Sequence, residues 1–155
     1  MIRRLAALSI QELLDLFPAL WRLTIIRLSL LRGIAWTRDR FGGSNGAPRA
    51  GTMARSGTAA RSTLAPWQRR ALALRRVSRF IPGAHCLARA LALRWWMRKS
   101  HLDARIVIGV RRTAEGIASH AWVELDDQPV DESEEIVERF RVISQDHVPA
   151  GRWTR

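Results

Sequence analysis

The stretch CLARALALRWWMRKSHLDARIVIGV, residues 86–110, decides the fold class because its periodicity changes part of the way along. Its first part is rich in alanine and leucine and ends on Arg98 and Lys99, cations that stabilise the carboxyl end of a helix. Its second part, ARIVIGV at 104–110, is β-branched and predicts a strand. The stretch therefore predicts a helix that is followed directly by a strand.

The residues after this stretch predict more of the sheet. IASHAWVEL at 117–125 predicts a second strand, and turn sequences lie on both sides of it. EEIVERFRVIS at 134–144 fits a further helix. We therefore expect an α+β fold in which the helix at 86–100 packs on a small antiparallel sheet.

The residues before the stretch predict more helices. Ser9 and Glu12 have the spacing of a capping box, which opens a short helix that Pro18 ends or kinks. A second helix then runs to Gly33. We expect burial of the apolar residues that its spacing keeps near one face, namely Trp21, Ile25, Leu28 and Leu31.

Composition divides the chain into four segments. The region from residue 37 to 63 carries five of the ten glycines and almost no large apolar groups, so we expect a flexible basic linker. Pro66 then stands where a first helical residue would. The expected segments are an N-terminal helical segment at 1–36, the linker at 37–63, the core domain at 64–144 and a loose tail at 145–155.

The charge is spread unevenly along a chain whose net charge is +12. Residues 1–112 hold 22 basic and 4 acidic groups, whereas residues 113–155 hold 4 basic and 10 acidic groups. This distribution fits a basic, non-enzymatic protein that binds nucleic acid, an acidic partner or an anionic membrane surface. No nucleic-acid-binding motif with interleaved aromatic groups is present, so we do not expect nucleic acid as the partner.

Cysteine content and hydropathy limit the cellular compartments and the cofactors that we expect. One cysteine excludes an internal disulfide and a multi-thiolate metal site, and no metal-ligand spacing is present, so no metal or cofactor is expected. The start MIRRLAALSI lacks the pattern of a secretory signal. Arginines interrupt the apolar stretch at 20–36, which is too short to span a membrane. We expect a cytoplasmic protein.

Cys86 and His120 are the residues most suited to covalent chemistry. Cys86 falls in the first turn of its helix, where the helix dipole and unpaired N–H groups favour a thiolate. Alternation in the second strand places His120 and Trp122 on the face opposite Ala121 and Val123. A histidine beside a thiol can take or hold its proton, so we interpret His120 as the general base for Cys86.

A third residue is expected to orient His120. Asp131 follows the second turn, where the returning chain would bring its carboxylate beside the histidine. Glu132, Asp126 and Asp127 are alternatives, since a shift of one residue in register changes which acid faces His120. His85 is a weaker candidate for the base because neighbours in sequence rarely face each other at a helix start.

Two motifs give the chain a resemblance to a known family. PGAHCLARALAL around Cys86 and HAWVELDDQPVDE at 120–132, with IVIGV between them, resemble the leader peptidases of lasso peptide biosynthesis. The resemblance covers roughly residues 18–143 apart from the linker. It implies a transglutaminase-like, papain-like cysteine protease that removes the leader from a lasso peptide precursor. The triad it implies is Cys86, His120 and Asp131, with position 132 as the alternative for the acid.

The same resemblance implies partners. Fused members of the family carry a leader-binding domain, for which this chain has no room, so we expect the split form. The partners would be the leader region of the precursor peptide, a separate leader-binding protein and an ATP-dependent macrolactam cyclase. Amide transfer in place of hydrolysis is an alternative that the sequence leaves open.

Overall fold

Helices and a small sheet together form the fold, which confirms the α+β class. The computed structural model describes residues 9–37, 40 and 57–145. In chain order the elements are α1 (Ile10–Leu31), α2 (Ile34–Thr37), α3 (Gly57–Ser78), α4 (Cys86–Lys99), β1 (Arg105–Thr113), β2 (Gly116–Leu125), β3 (Gln128–Pro129), α5 (Glu134–Val137) and β4 (Arg141–Gln145). None of the helices in the described part of the chain is long and apolar enough to cross a membrane.

α1 is one helix, so the prediction of two helices separated at Pro18 is wrong. The capping box of Ser9 and Glu12 is confirmed at its start. A proline inside a helix removes one backbone hydrogen bond and costs about 3 kcal/mol. Packing on both sides of Pro18 offsets this cost, because Asp15 binds Arg69 of α3 and Leu23 is fully buried.

The buried face of α1 differs from the predicted one. Ala19, Leu23 and Ile26 are 0% exposed and pack in the core, whereas the predicted residues Trp21 and Leu28 are 60% and 59% exposed. The helix is apolar on more than one side, so spacing alone does not select its packing face. We call the uncovered apolar side the exposed α1 face; it consists of Ile10, Leu13, Leu14, Phe17, Leu20, Trp21, Leu28 and Leu31.

α3 begins earlier than expected. Its first residue is Gly57, so residues 57–63 of the expected linker are helical and Pro66 lies inside the helix. The alanines and the arginine of this region favour a helix, although its glycine and serine content indicated a linker. Residues 38, 39 and 41–56 of the expected linker lie outside the described residues, as do residues 146–155 of the expected tail.

The sheet is antiparallel throughout, with the strand order β3-β2-β1-β4. The β1–β2 hairpin confirms the two predicted strands, and its register places Gly109 opposite His120 and Val107 opposite Trp122. Asp126 and Asp127 have φ angles of 50° and 63° in the tight turn to β3, where such turns require positive φ. α4 packs on β2, and that packing places the start of α4 beside the strand that carries His120.

The predicted helix at 134–144 is mostly wrong. Only Glu134–Val137 is helical, and Arg141–Gln145 forms β4 on the free edge of β1. The unpaired backbone groups of that edge give residues 141–145 hydrogen-bond partners outside their own segment. Phe140, which precedes β4, lies over Gly109: a Cβ there would be 2.7 Å from the Phe140 Cβ.

One hydrophobic cluster joins the first helix to the rest of the fold. Leu23 and Ile26 of α1 belong to the same buried cluster as Leu74 of α3, Leu93 of α4 and Val123 of β2. The N-terminal helical segment therefore packs into the core that we expected from residues 64–144 alone. This packing fixes α3 and α4 relative to β2, the three elements that supply Arg75, Cys86 and His120 of the site described next.

Candidate active site

Cys86 is the first residue of α4 and is half-buried. The turn before it contains Gly83, whose φ of +74° favours glycine. Arg27 of α1 fixes this turn, because its Nε donates to the carbonyl of Pro82 at 2.8 Å. His85 is the N-cap residue, is exposed and makes no side-chain cap hydrogen bond. The thiol therefore lies at a helix start whose N–H groups its neighbour does not cap.

His120 is brought to Cys86, as the sequence predicts. The two side chains are hydrogen-bonded, and the backbone N–H groups of Leu87 and Ala121 also donate to the sulfur. The imidazole ring stacks on Trp122 at a centroid distance of 6.2 Å and contacts the Phe140 ring at 5.4 Å. Trp122 is 0% exposed, so it supports the histidine from the core and does not line a groove.

The acid beside His120 is Glu132. Its Oε1 lies 3.0 Å from His120 Nε2, which leaves Nδ1 as the ring nitrogen for Cys86. Asp131 instead accepts the backbone N–H of Val123 through Oδ1 at 2.8 Å, so the prediction that Asp131 lies beside His120 is wrong. The chain pairs with β2 only through residue 130, and the next two side chains point in different directions.

The other acids considered as alternatives lie elsewhere. Asp126 is exposed in the β2–β3 turn, and Asp127 of the same turn binds Arg105. Among the described residues no group of three metal-ligating side chains could hold a metal ion.

Cys86 and His120 have the electrostatics of a thiolate–imidazolium pair. Burial raises the pKa of the Cys86 thiol, but the hydrogen bonds from His120 and from the Ala121 and Leu87 N–H groups, with the charge of His120, lower it below its ordinary value. The hydrogen bond with Cys86 and then the one with Glu132 raise the pKa of His120 to about 9. The lowered pKa increases the fraction of Cys86 that is thiolate, the form that acts as a nucleophile.

The two neighbouring acids have opposite electrostatic properties. Burial raises the pKa of Glu132, but the hydrogen bond to His120 and the charge of Arg75 together lower it below its ordinary value. Burial raises the pKa of Asp131 to about 6, against the hydrogen bond from Val123. Glu132 is therefore a carboxylate at neutral pH and can stabilise the His120 cation.

Sequence reasoning missed Arg75, which lies on α3 and contacts the carboxylate of Glu132. The sequence signal for it is weak, because α3 carries five arginines between residues 61 and 76. Arg75 also lines a small cavity behind the site together with Ala71, Leu74, Arg89, Leu93 and Asp131.

A comparison with protein families agrees with this site. The family model described as the transglutaminase-like superfamily matches residues 22–145, which include the second part of α1 and every element from α2 to β4. Searches of curated proteins and of solved structures return no match to this chain. Members of the matched superfamily are generally cysteine-based enzymes and include cysteine proteases. Since the match covers most of the chain, this protein belongs to the transglutaminase-like superfamily.

Proposed function

We propose that this protein is a cysteine peptidase that removes the leader peptide from a lasso peptide precursor. The observation that supports peptidase chemistry most directly is the constellation of Cys86, His120 and Glu132, with a thiol whose pKa is lowered. Support for the lasso precursor as substrate comes from the sequence motifs around Cys86 and at 120–132. The proposed triad is thus Cys86, His120 and Glu132.

The reaction begins with the Cys86 thiolate, which attacks the carbonyl carbon at the leader–core junction. The carbonyl oxygen becomes an oxyanion beside the uncapped N–H groups at the start of α4. The imidazolium of His120 then gives its proton to the leaving amine, the C–N bond breaks, and a thioester forms on Cys86. Glu132 stabilises the imidazolium and fixes its orientation.

Water resolves the thioester. Neutral His120 takes a proton from a water molecule, whose oxygen attacks the thioester carbonyl. The C–S bond breaks, the leader leaves with a new carboxyl end, and the thiolate–imidazolium pair forms again. An amine in place of this water would give an amide product, so the same site supports the alternative of amide transfer.

The proposed function includes partners. A separate leader-binding protein would present the precursor, and an ATP-dependent macrolactam cyclase would receive the product, as the sequence resemblance implies. The exposed α1 face supports the presence of a protein partner, because large exposed apolar surfaces commonly mark interfaces.

Mass spectrometry of a candidate precursor incubated with this protein and its leader-binding partner tests the proposal. We expect cleavage at one site by the wild type and none by Cys86→Ala or His120→Ala. His85→Ala is the matched control, since His85 adjoins Cys86 but is exposed, and it should cleave normally. An intact precursor with the wild type, or equal cleavage by Cys86→Ala, would contradict the proposal. An amide at the new end would indicate amide transfer.

A further inference from the structure

Arg75 contacts the carboxylate oxygen that His120 contacts. Arg75 Nη2 lies 2.9 Å from Glu132 Oε1, and the same oxygen lies 3.0 Å from His120 Nε2. The Glu132 side chain is only 7% exposed, so these bonds are little weakened by water. One oxygen atom thus joins α3 to the histidine on β2.

The same guanidinium group also binds the backbone beside Glu132. Arg75 Nη2 donates to the carbonyl oxygen of Asp131 at 2.5 Å. Asp131 in turn accepts the N–H of Val123, and Val130 donates its N–H to the Val123 carbonyl. β3 ends at Pro129, so residues 131 and 132 are held mainly through side chains. Arg75 contacts both of these residues, whereas the Val123 N–H contacts only Asp131 and His120 contacts only Glu132.

We propose that Arg75 is a positioning residue that holds Glu132 against Nε2 of His120 and thereby keeps Nδ1 turned towards Cys86. This inference rests on the proposed roles of Cys86 and His120. A glutamate side chain has several rotatable bonds and loses its orientation when it is not anchored. The planar guanidinium binds a carboxylate and a carbonyl together, which a lysine ammonium does not do with the same geometry.

Several charged groups surround the site and bear on its pH dependence. Glu132 faces His120 of β2, Arg75 of α3 and the adjacent Asp131, and Asp131 in turn faces Arg89 of α4. The loss of the Arg75 cation alone would favour protonated His120, whereas the release of Glu132 would disfavour it. If Arg75 positions Glu132, the release of Glu132 has the larger effect, and the loss of Arg75 disfavours protonated His120.

The rate at which iodoacetamide alkylates Cys86 tests this role without a peptide substrate. The chain has one cysteine, so the rate reports this thiol alone. For full-length Arg75→Gln we expect alkylation about tenfold slower than wild type near pH 6, which corresponds to an increase of about one unit in the apparent pKa of the thiol. Glu132→Ala should be slowed to a similar degree. The double variant should be no slower than Glu132→Ala, because Arg75 acts through Glu132.

Arg76→Gln is the matched control. Arg76 is the next residue on α3, has a similar exposure and binds Glu12 at 2.8 Å, so its loss should affect stability without changing the alkylation profile. Arg75→Lys keeps the charge and the stem, which makes it the second variant if Arg75→Gln does not fold; it should also be slow.

Three results would overturn the role of Arg75 alone: a wild-type rate in Arg75→Gln, full rescue by Arg75→Lys, or effects that add in the double variant. An ordinary thiol titration in the wild type would instead overturn the thiolate–imidazolium pair, and with it the proposed function. The two failures are therefore distinguishable.

Discussion

The two acids that follow β3 show how single-residue environments assign different roles. Burial raises the pKa of both Asp131 and Glu132. Glu132 has His120 and Arg75 within hydrogen-bonding distance, and these outweigh its burial, whereas Asp131 has mainly one backbone N–H. Glu132 thus remains an anion beside the histidine. Asp131 anchors the chain and carries an unfavourable charge at neutral pH.

Asp131→Asn should remove this unfavourable charge while it keeps an oxygen for the Val123 N–H. The folded-state pKa of about 6 lies above the ordinary value of 3.8, so between these values the folded state binds more protons than the unfolded state. The free energy of unfolding therefore falls as pH rises through this window, by on the order of 3 kcal/mol for a shift of this size. Urea unfolding from pH 4 to pH 8 measures it.

The difference between the variant and wild-type curves isolates this residue from the other titrating groups. We expect Asp131→Asn to gain stability relative to wild type as pH rises from 4 to 7 and to keep the gain above pH 7. Asp131→Ala is the control: it leaves the Val123 N–H unpaired and should be destabilised by about 1–3 kcal/mol near neutral pH. A difference that does not change with pH would show that Asp131 has an ordinary pKa in the fold.

Two of the three site residues could be read from the sequence because strong local rules govern them. A cysteine after a Pro-Gly turn at a helix start, and a histidine in an alternating strand, need only helix and strand periodicity. The choice between Asp131 and Glu132 needs the point at which the chain leaves the sheet, which periodicity does not give. The contact of Arg75 with Glu132 depends on how α3 packs in the tertiary structure.

At the scale of elements, β4 supports the histidine through Phe140. Gly109 of β1 leaves room for Phe140, whose ring contacts both His120 and Trp122. An irregularity in the β1–β4 pairing lies between Ile108 and Gly109, where the register shifts. The segment that the sequence assigned to a helix therefore covers the outer face of the site.

Gly109→Ala should disturb this cover. The added Cβ would lie 2.7 Å from the Phe140 Cβ and 2.9 Å from the Trp122 ring, so Phe140 must move. We expect a loss of about 1–3 kcal/mol in the free energy of unfolding, as in other overpacked sites. Since Phe140 also supports the His120 ring, alkylation of Cys86 near pH 6 should slow several-fold. Ser119→Ala, at an exposed neighbour of His120, should change neither value.

α1 and β4 show which parts of the fold sequence patterns cannot decide. α1 is apolar around much of its circumference. Its packed side carries Asp15 and Glu12, which form ion pairs with arginines of α3. Residues 141–145 join the sheet because β1 has a free edge. The packed side of α1 and the pairing of residues 141–145 both depend on elements that are distant in the sequence. α4 and the β1–β2 hairpin instead follow from local propensity and periodicity.

At the scale of the whole molecule, internal contacts use many of the arginines that suggested an anionic partner. Ion pairs link Arg69, Arg75 and Arg76 of α3 to acids of α1 and of the site. Arg22 and Arg70 lie over tryptophan rings at 4.4 Å and 4.3 Å. Several arginines are thus held by contacts inside the fold, although these internal ion pairs leave the net charge at +12.

A salt series should therefore separate the peptidase from a basic binding module. Binding to phosphates weakens steeply as salt rises, because bound counterions are released. The half-buried pair of Cys86 and His120 is screened little, and iodoacetamide is uncharged. We expect the Cys86 alkylation rate at pH 6–7 to stay constant while salt rises through and beyond the physiological concentration, and we expect any binding to duplex DNA to disappear.

DNA binding that persists at physiological salt and is the same in Cys86→Ala would favour the binding module. A strongly salt-dependent alkylation rate would mean that distant surface charges, and not His120, activate the thiol.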